Sequence, residues 1–522
     1  EKLYPDMDAD LEPINTRETA LANDSLASAR RIRQPITAEA DMGAAFDRIT
    51  YSKGATVIRM FERWIGPDRF QKAARAYLHA HADGNATAAD FLAALDHEMG
   101  DKPVGAAFAT FLDQPGVPVI AMELSCPSGG PASLELAQSR HVPAGAAPVS
   151  GEQRWQVPIC VAVPDGGKRE THCTLLTEAT GELALGKTCP AWVAPNVDGA
   201  GYYLSSLAPE QLKALLERGW ARLPRGERLA LLTDLDILVD GGKADLGAVL
   251  ALLPRLGTSG DPYLLEEAVT RLDRLARFVA PDQQDSFARL VRDTVGRAGK
   301  RIGWSPRPHE KLAEARLRGR LMPLLAVEGQ DRAARARAVA LAHQWTADHH
   351  KVPESLWGPV LTAAVRADAK AVVPDLLARV AEEPDRVAQR AIYQAVAMGQ
   401  DAELQGKALG LLLTADPVPP EMVQLLTFPP DIERQASLFD FVREHADDLL
   451  RRLPEDYQRT LVVNVCDPGR REQVASFLKS KLEPLPKIGT LSVTQKVESM
   501  DQCIARRATQ APALAAFLSG RK

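Results

Sequence analysis

Apolar positions recur at helical spacing early in the chain. Val57, Met60, Phe61, Trp64 and Ile65 form one face of a segment that Gly66-Pro67 terminates. Residues 37–47 lead into this helix, and Asp68 to His81 form the next. Gly84-Asn85 makes a turn, after which Thr87 and Asp90 open a helix carrying Phe91, Leu92 and Leu95 on one face. Asn85-Ala86-Thr87 is formally a glycosylation sequon, but a turn followed by a cap accounts for it more simply. At Gln114-Pro115-Gly116-Val117-Pro118 the period changes from helical to alternating. Val119–Leu124, Ser133–Gln138, Trp155–Val163, His172–Leu176 and Gly201–Leu204 then read as strands between Gly- and Pro-rich turns. Roughly seven short strands in this stretch suggest a small β-sandwich. From Ala208 onward the chain is nearly all helical, with segments such as Leu212–Leu223, Arg228–Val239, Leu246–Leu256, Leu264–Val279, Leu312–Leu325 and Ala333–Trp345. Pairs of these suggest an irregular α-solenoid of HEAT type, without a strict repeat. The expected fold is a multidomain α protein with a small β-sandwich, divided at 1–117, 118–206 and 207–522.

A chain of 522 residues exceeds one hydrophobic core, and a net charge of -5 is only slightly acidic. Lys and Arg are dispersed among Asp and Glu, which argues against nucleic acid as a partner. No apolar run approaches the roughly 20 residues that span a bilayer, and the first residues carry no signal-peptide pattern. Small charge groups such as Asp234-Leu235-Asp236 and Lys300-Arg301 read as solvated helix ends. Cys126, Cys160, Cys173 and Cys189 fall in the β-rich stretch, and Cys466 and Cys503 near the end. They could form three bridges, the middle four allowing three pairings, or remain six buried thiols. Their spacing is not that of zinc knuckles.

The segment Phe46-Asp47-Arg48-Ile49-Thr50-Tyr51-Ser52-Lys53-Gly54-Ala55 carries the candidate chemistry. Taken alone, Phe46, Ile49 and Tyr51 read as packing anchors of a helix start. The segment resembles, however, the FD-x-I-[ST]-Y-x-K-G segment of the aminopeptidase N family of zinc (gluzincin) aminopeptidases. Further blocks keep that family's order: Trp64-Ile65-Gly66 with Phe70, Tyr77-Leu78 with His81, Gly84-Asn85-Ala86-Thr87 with Asp90-Phe91, and Phe111 through Pro118. Upstream, Asp24-Ser25 and Gln34-Pro35-Ile36 resemble its approach to the same helix. Trp155-x-Val157-Pro158, Trp192-Val193-x-Pro195-Asn196 and Gly201-Tyr202-Tyr203 resemble its third domain, and Arg506 to Leu518 its terminal helix pair. The resemblance implies that 1–117 is the C-terminal helical part of a thermolysin-like catalytic domain. It implies a β-sandwich spacer next, then a helical domain that closes over the active site and admits peptides with a free N-terminus. Tyr51 would be the transition-state tyrosine, whose hydroxyl stabilises the oxyanion at the attacked peptide carbonyl.

The departures from the family are equally specific. A zincin needs His-Glu-x-x-His on a helix, with two imidazoles for zinc and the glutamate as base. Here His97-Glu98 is followed by Met99-Gly100-Asp101, and His309-Glu310 by Lys311-Leu312-Ala313. His349-His350 reads as a solvated polar pair on a helix. The Gly-x-Met-Glu-Asn segment that holds the substrate amino group is also absent. Glu1 lacks the context of the third zinc ligand, so the expectation is one catalytic residue, Tyr51, and no metal ligand in this chain. By resemblance, the zinc and the general base would belong to the missing N-terminal portion of the same enzyme, and this chain alone would be inactive. Such a portion also removes any weight from the missing export signal, and the cysteines point to a periplasmic or secreted protein. The alternative is a catalytically inactive relative serving as a scaffold. An unaltered Y-x-K-G setting around Tyr51 favours the enzyme.

Overall fold

The computed structural model describes residues 8–35, 46–100, 104–128, 130–147, 149, 151–427, 431–485 and 488–521. The chain is mostly helical with small sheets, and it divides into two compact units between Ala244 and Asp245.

In the first unit, helix α1 (Glu12–Asp24) is followed by a π turn, Ile49–Lys53, that runs directly into α2 (Gly54–Ile65). Of the expected lead-in to α2, residues 37–45 lie outside the described residues. Helices α3 (Pro67–Ala80), α4 (Ala88–Met99) and α5 (Val104–Asp113) complete the helical layer. Gly66 separates α2 from α3 at φ 99°, a left-handed backbone that suits glycine, and Pro67 then opens α3. The cap expected at α4 is present: the Thr87 hydroxyl accepts from Asp90 N–H, and the Asp90 carboxylate accepts from Thr87 N–H at 2.7 Å.

Strands β1 (Pro118–Ser125), β2 (Ala132–Arg140), β3 (Val157–Asp165), β4 (Lys168–Leu176), β5 (Thr180–Gly186) and β6 (Leu204–Leu207) form two sheets. The larger has the order β5-β2-β1-β6, with β6 parallel to β1 and the other pairs antiparallel; β3 and β4 form a hairpin. The alternation anticipated for β1 is real: Ile120 and Met122 are buried while Ala121 and Glu123 face out. One apolar core runs through Phe61, Phe108 and Phe111 of the helices and on through Leu134, Leu136, Trp155, Val157, Ile159 and Tyr202. The helical layer and both sheets therefore share their burial rather than forming separate cores.

The strand expected from Gly201 begins only at Leu204. Backbone groups that would have paired are taken by side chains: Arg17 donates to Gly201 O (2.8 Å) and Tyr203 O (2.5 Å), and Asn196 Oδ1 accepts from Gly201 N–H (2.8 Å). Arg17 also pairs with Asp234 of α7 (Arg225–Asp240; α6 is Pro209–Ala214) at 2.7 Å, both side chains 1% exposed. The reading of Asp234 as a solvated helix end is thus corrected. Its carboxylate is needed inside, where Ser205 N–H and hydroxyl also donate to it at 3.0 and 2.5 Å.

The cysteines form three disulfides, Cys126–Cys189, Cys160–Cys173 and Cys466–Cys503. Cys160 and Cys173 stand directly opposite one another in the β3–β4 register. Replacing both by serine is expected to lower stability by about 2–3 kcal/mol, because the bridge restricts the unfolded hairpin. A urea midpoint equal to that of the parent would refute it.

His141, just beyond β2, is 2% exposed; its backbone N–H donates to Val117 O at 2.8 Å, and its Nδ1 is buried with no partner among the described residues. Burial first, then the nearby Lys243, pull its pKa down to about 4 against an upward pull from Asp240. The imidazole is neutral in the fold but takes a proton when unfolded below about 6.5. Stability from this residue is complete above that pH and declines as pH falls toward 4, by roughly 3 kcal/mol in all. His141→Gln should flatten the urea midpoint between pH 7.5 and 4.5, and parallel curves for parent and variant would exclude His141 as the cause.

The second unit is built from helices including Pro262–Ala276, Gln284–Ile302, Leu312–Val327, Arg332–Ala347, Trp357–Ala367 and Arg386–Ala397, ending in Gly489–Ser519. Aspartate caps recur at their starts: Asp261, Asp331, Asp368, Asp385, Asp401 and Asp431 each accept from a first-turn N–H. The solvated reading of His349-His350 is corrected for His349. It lies in a short 3-10 turn, is buried, and its Nδ1 is 3.0 Å from Glu383, beside Trp357.

Candidate functional site

The π turn Ile49–Lys53 positions the candidate residue. Asp47 starts it, its Oδ1 accepting from Ile49 N–H (2.8 Å) and Thr50 N–H (3.0 Å). Arg30 then holds Asp47 through both carboxylate oxygens, the Nε contact at 3.0 Å, and donates to the Thr50 hydroxyl at 2.7 Å. On the far side, the Thr56 hydroxyl donates to Ser52 O at 2.8 Å. Single π turns are rare and frequently sit at functional sites, though the described residues include two others, at Leu215–Gly219 and Leu478–Leu482.

Tyr51 projects outward, 61% exposed, with the 73% exposed Phe46 ring 6.5 Å away. Residues two apart on a helical turn point roughly 200° apart, so Lys53 is directed inward. It is fully buried. Its Nζ pairs with Asp24 at 2.9 Å, donates to Gln114 O at 2.9 Å, and sits over the Tyr202 ring at 5.7 Å. Asp24 Oδ1 accepts from Gly116 N–H, and its Oδ2 from the Tyr202 hydroxyl, both at 2.8 Å. Burial, then the neighbouring Asp24 charge, raise the Tyr202 pKa well above its ordinary value, so it stays a donor.

The motif blocks read from the sequence converge here. Asp24, Lys53, Gln114, Gly116 and Tyr202 come from four of them, while Phe61, Phe91, Phe108 and Phe111 form an aromatic cluster, Phe61 and Phe108 stacked at 4.8 Å and the other pairs edge-on. Of the Gln34-Pro35-Ile36 block, Ile36 lies outside the described residues. His81 rests against Tyr77, Glu98 pairs with Lys72 at 3.0 Å, and Glu310 pairs with Arg318. Among the described residues no three His, Cys, Asp or Glu side chains come together as a metal site requires. The buried partners Asp24 and Arg17 and the half-buried Arg30 carry no mark as site residues in the sequence. For Arg17 and Asp24 the available signal is a charged residue on the apolar side of a helix, α1; Arg30 lies outside any helix and carries no such signal.

Chemically, the arrangement presents one neutral hydroxyl, free of internal hydrogen bonds among the described residues, on a rigidly fastened turn. That is a donor ready for an external oxygen.

Residues 1–111 match the model of the Peptidase family M1 domain, and residues 192–502 that of the ERAP1-like C-terminal domain. Aminopeptidase M1-B of Oryza sativa subsp. japonica is 25% identical over 513 residues, covering 93% of this chain and 57% of that protein. Aminopeptidase M1 of Arabidopsis thaliana is 27% identical over 355 residues, covering 63% of this chain and 38% of that protein. Aminopeptidase N of Lactococcus lactis subsp. lactis is 23% identical over 462 residues, covering 85% and 52%. The chain spans about half the length of the curated relatives it matches.

Proposed function

The chain belongs to the aminopeptidase N family of M1 peptidases, and from that membership we propose that it supplies the transition-state tyrosine of an aminopeptidase acting on peptides with a free N-terminus. The carrying observation is Tyr51, outward on a fastened π turn with a hydroxyl that engages nothing among the described residues. When the carbonyl of the first peptide bond is attacked, its oxygen gains negative charge. The Tyr51 hydroxyl donates to that oxygen and lowers the energy of the tetrahedral state more than that of the substrate.

M1 peptidases are generally zinc enzymes. The described residues of this chain do not fit a zinc ion, since they offer no cluster of three suitable ligands. The chemistry assigned to this chain is accordingly that of its own hydroxyl, and the zinc of the complete enzyme would be held by other polypeptide. On this reading 1–117 belongs to the catalytic domain, 118–206 is the β module, and 207–522 is a helical domain of HEAT-like character. The match to an ERAP1-like C-terminal domain supports the last part. The disulfides support folding under oxidising conditions, as in a periplasmic or secreted protein. Tyr51→Phe in the complete enzyme tests the proposal: turnover falls while the melting temperature holds.

A further inference from the structure

We propose that the buried Lys53–Asp24 ion pair, completed by the Tyr202 hydroxyl, is the device that sets the direction of Tyr51. Lys53 is then a positioning residue, and Tyr202 ties the site to the β-bearing part of the chain. This rests on the reading of Tyr51 given above.

The Tyr51 side chain has no hydrogen bond of its own among the described residues, so its direction is inherited from the backbone of the π turn. That turn has two fastenings. Asp47 and Arg30 hold its start, which fixes where the helix begins. They do not fix how many residues the turn contains. A π turn holds one residue more than an α turn, and relaxing it would rotate side chains on one side by roughly 100° relative to the other. Lys53 is the last residue of the turn, and in the register observed it meets the Asp24 carboxylate at 2.9 Å, a contact that a rotation of roughly 100° would carry away from it.

The burial of Lys53 argues the same way. A lysine is almost never fully buried, and an ion pair in a core is commonly no more stabilising than an apolar residue of the same size. What an ion pair adds is direction. Here it takes in three segments at once: the C-terminal end of α1 at Asp24, the Gln114–Gly116 turn, and Tyr202. The Tyr202 N–H in addition donates to Met60 Sδ at 3.2 Å, on the helix that the π turn begins.

The test uses the full chain with ring-labelled tyrosine. With eight tyrosines the spectrum is simple, and Tyr51→Phe identifies the Tyr51 signal. Tyr202→Phe removes one hydroxyl and keeps the core volume, so it folds even if Lys53→Met does not. The expected result for Tyr202→Phe is a shifted or broadened Tyr51 signal and faster amide exchange at residues 49–53. In the complete enzyme kcat falls by about tenfold or more with KM within about twofold, since a misplaced group costs rate rather than binding. Lys53→Met, where it folds, changes the same readouts further. The proposal is overturned if Tyr202→Phe lowers the melting temperature while the Tyr51 signal and the exchange at 49–53 stay as they were. If the Tyr51 signal moves but Tyr51→Phe leaves turnover intact, the positioning stands and the catalytic reading of Tyr51 falls.

Discussion

Tyr51→Phe is expected to lower kcat by about a hundredfold to a thousandfold, the usual cost of deleting one preorganised donor to a developing oxyanion. The substitution removes a single oxygen. Because that oxygen is exposed and engages nothing among the described residues, the fold loses no hydrogen bond, and the neighbouring Phe46 ring keeps its aromatic partner. KM should move by no more than a few-fold, since in the proposed role the hydroxyl acts on charge that the substrate carbonyl does not yet carry. The measurement is steady-state hydrolysis of an aminoacyl substrate by the complete enzyme, with melting curves alongside. Turnover within about threefold of the parent would remove Tyr51 from the transition state, whatever its place in the motif.

The largest effect on stability is expected at Arg17. Its guanidinium joins α1 to the Gly201–Tyr203 stretch and to Asp234 of α7, with both charged groups 1% exposed. Arg17→Met keeps the stem and removes the charge. Asp234 is then left buried as a carboxylate with only the Ser205 donors, Tyr203 O loses the guanidinium, and Gly201 O keeps only the longer contact from the Asn196 amide at 3.3 Å. A buried pair broken on one side costs about 3–5 kcal/mol. Replacing both members, Arg17→Met with Asp234→Leu, should recover much of that loss, because no charge remains unpaired. The check is the urea midpoint of the three variants. A single variant that loses less than about 1 kcal/mol, or a double variant no better than the single, would show that the pair matters little.

Much of this fold was legible in residue spacing. The α4 cap at Thr87 and Asp90, the break at Gly66-Pro67 and the change of period at Pro118 are decided within a few residues, and they appear where those residues fall. What the spacing could not give depends on partners far along the chain. Asp234 looks like a helix-end charge until Arg17 arrives from more than two hundred residues away. His349 looks solvated until Glu383 closes over it. Gly201 to Tyr203 has strand composition, yet side chains intercept its backbone groups. At the site, Tyr51 itself was marked by its motif, whereas Lys53 was visible only as a letter in that motif. Its function of fastening the turn needs Asp24, Gly116 and Tyr202 in one place, a coincidence that a linear reading does not contain.

The pairing of the cysteines carries a further consequence for how such a chain matures. Cys160–Cys173 lies wholly inside the span of Cys126–Cys189, and Cys466–Cys503 lies beyond both, within the second compact unit. No bridge interlocks with another, and none crosses from one unit to the other. A polypeptide emerging N-terminus first could therefore seal each loop from cysteines already at hand, the inner hairpin before the loop that encloses it. Correct oxidation would need no waiting for the distant end and no reshuffling of an earlier link.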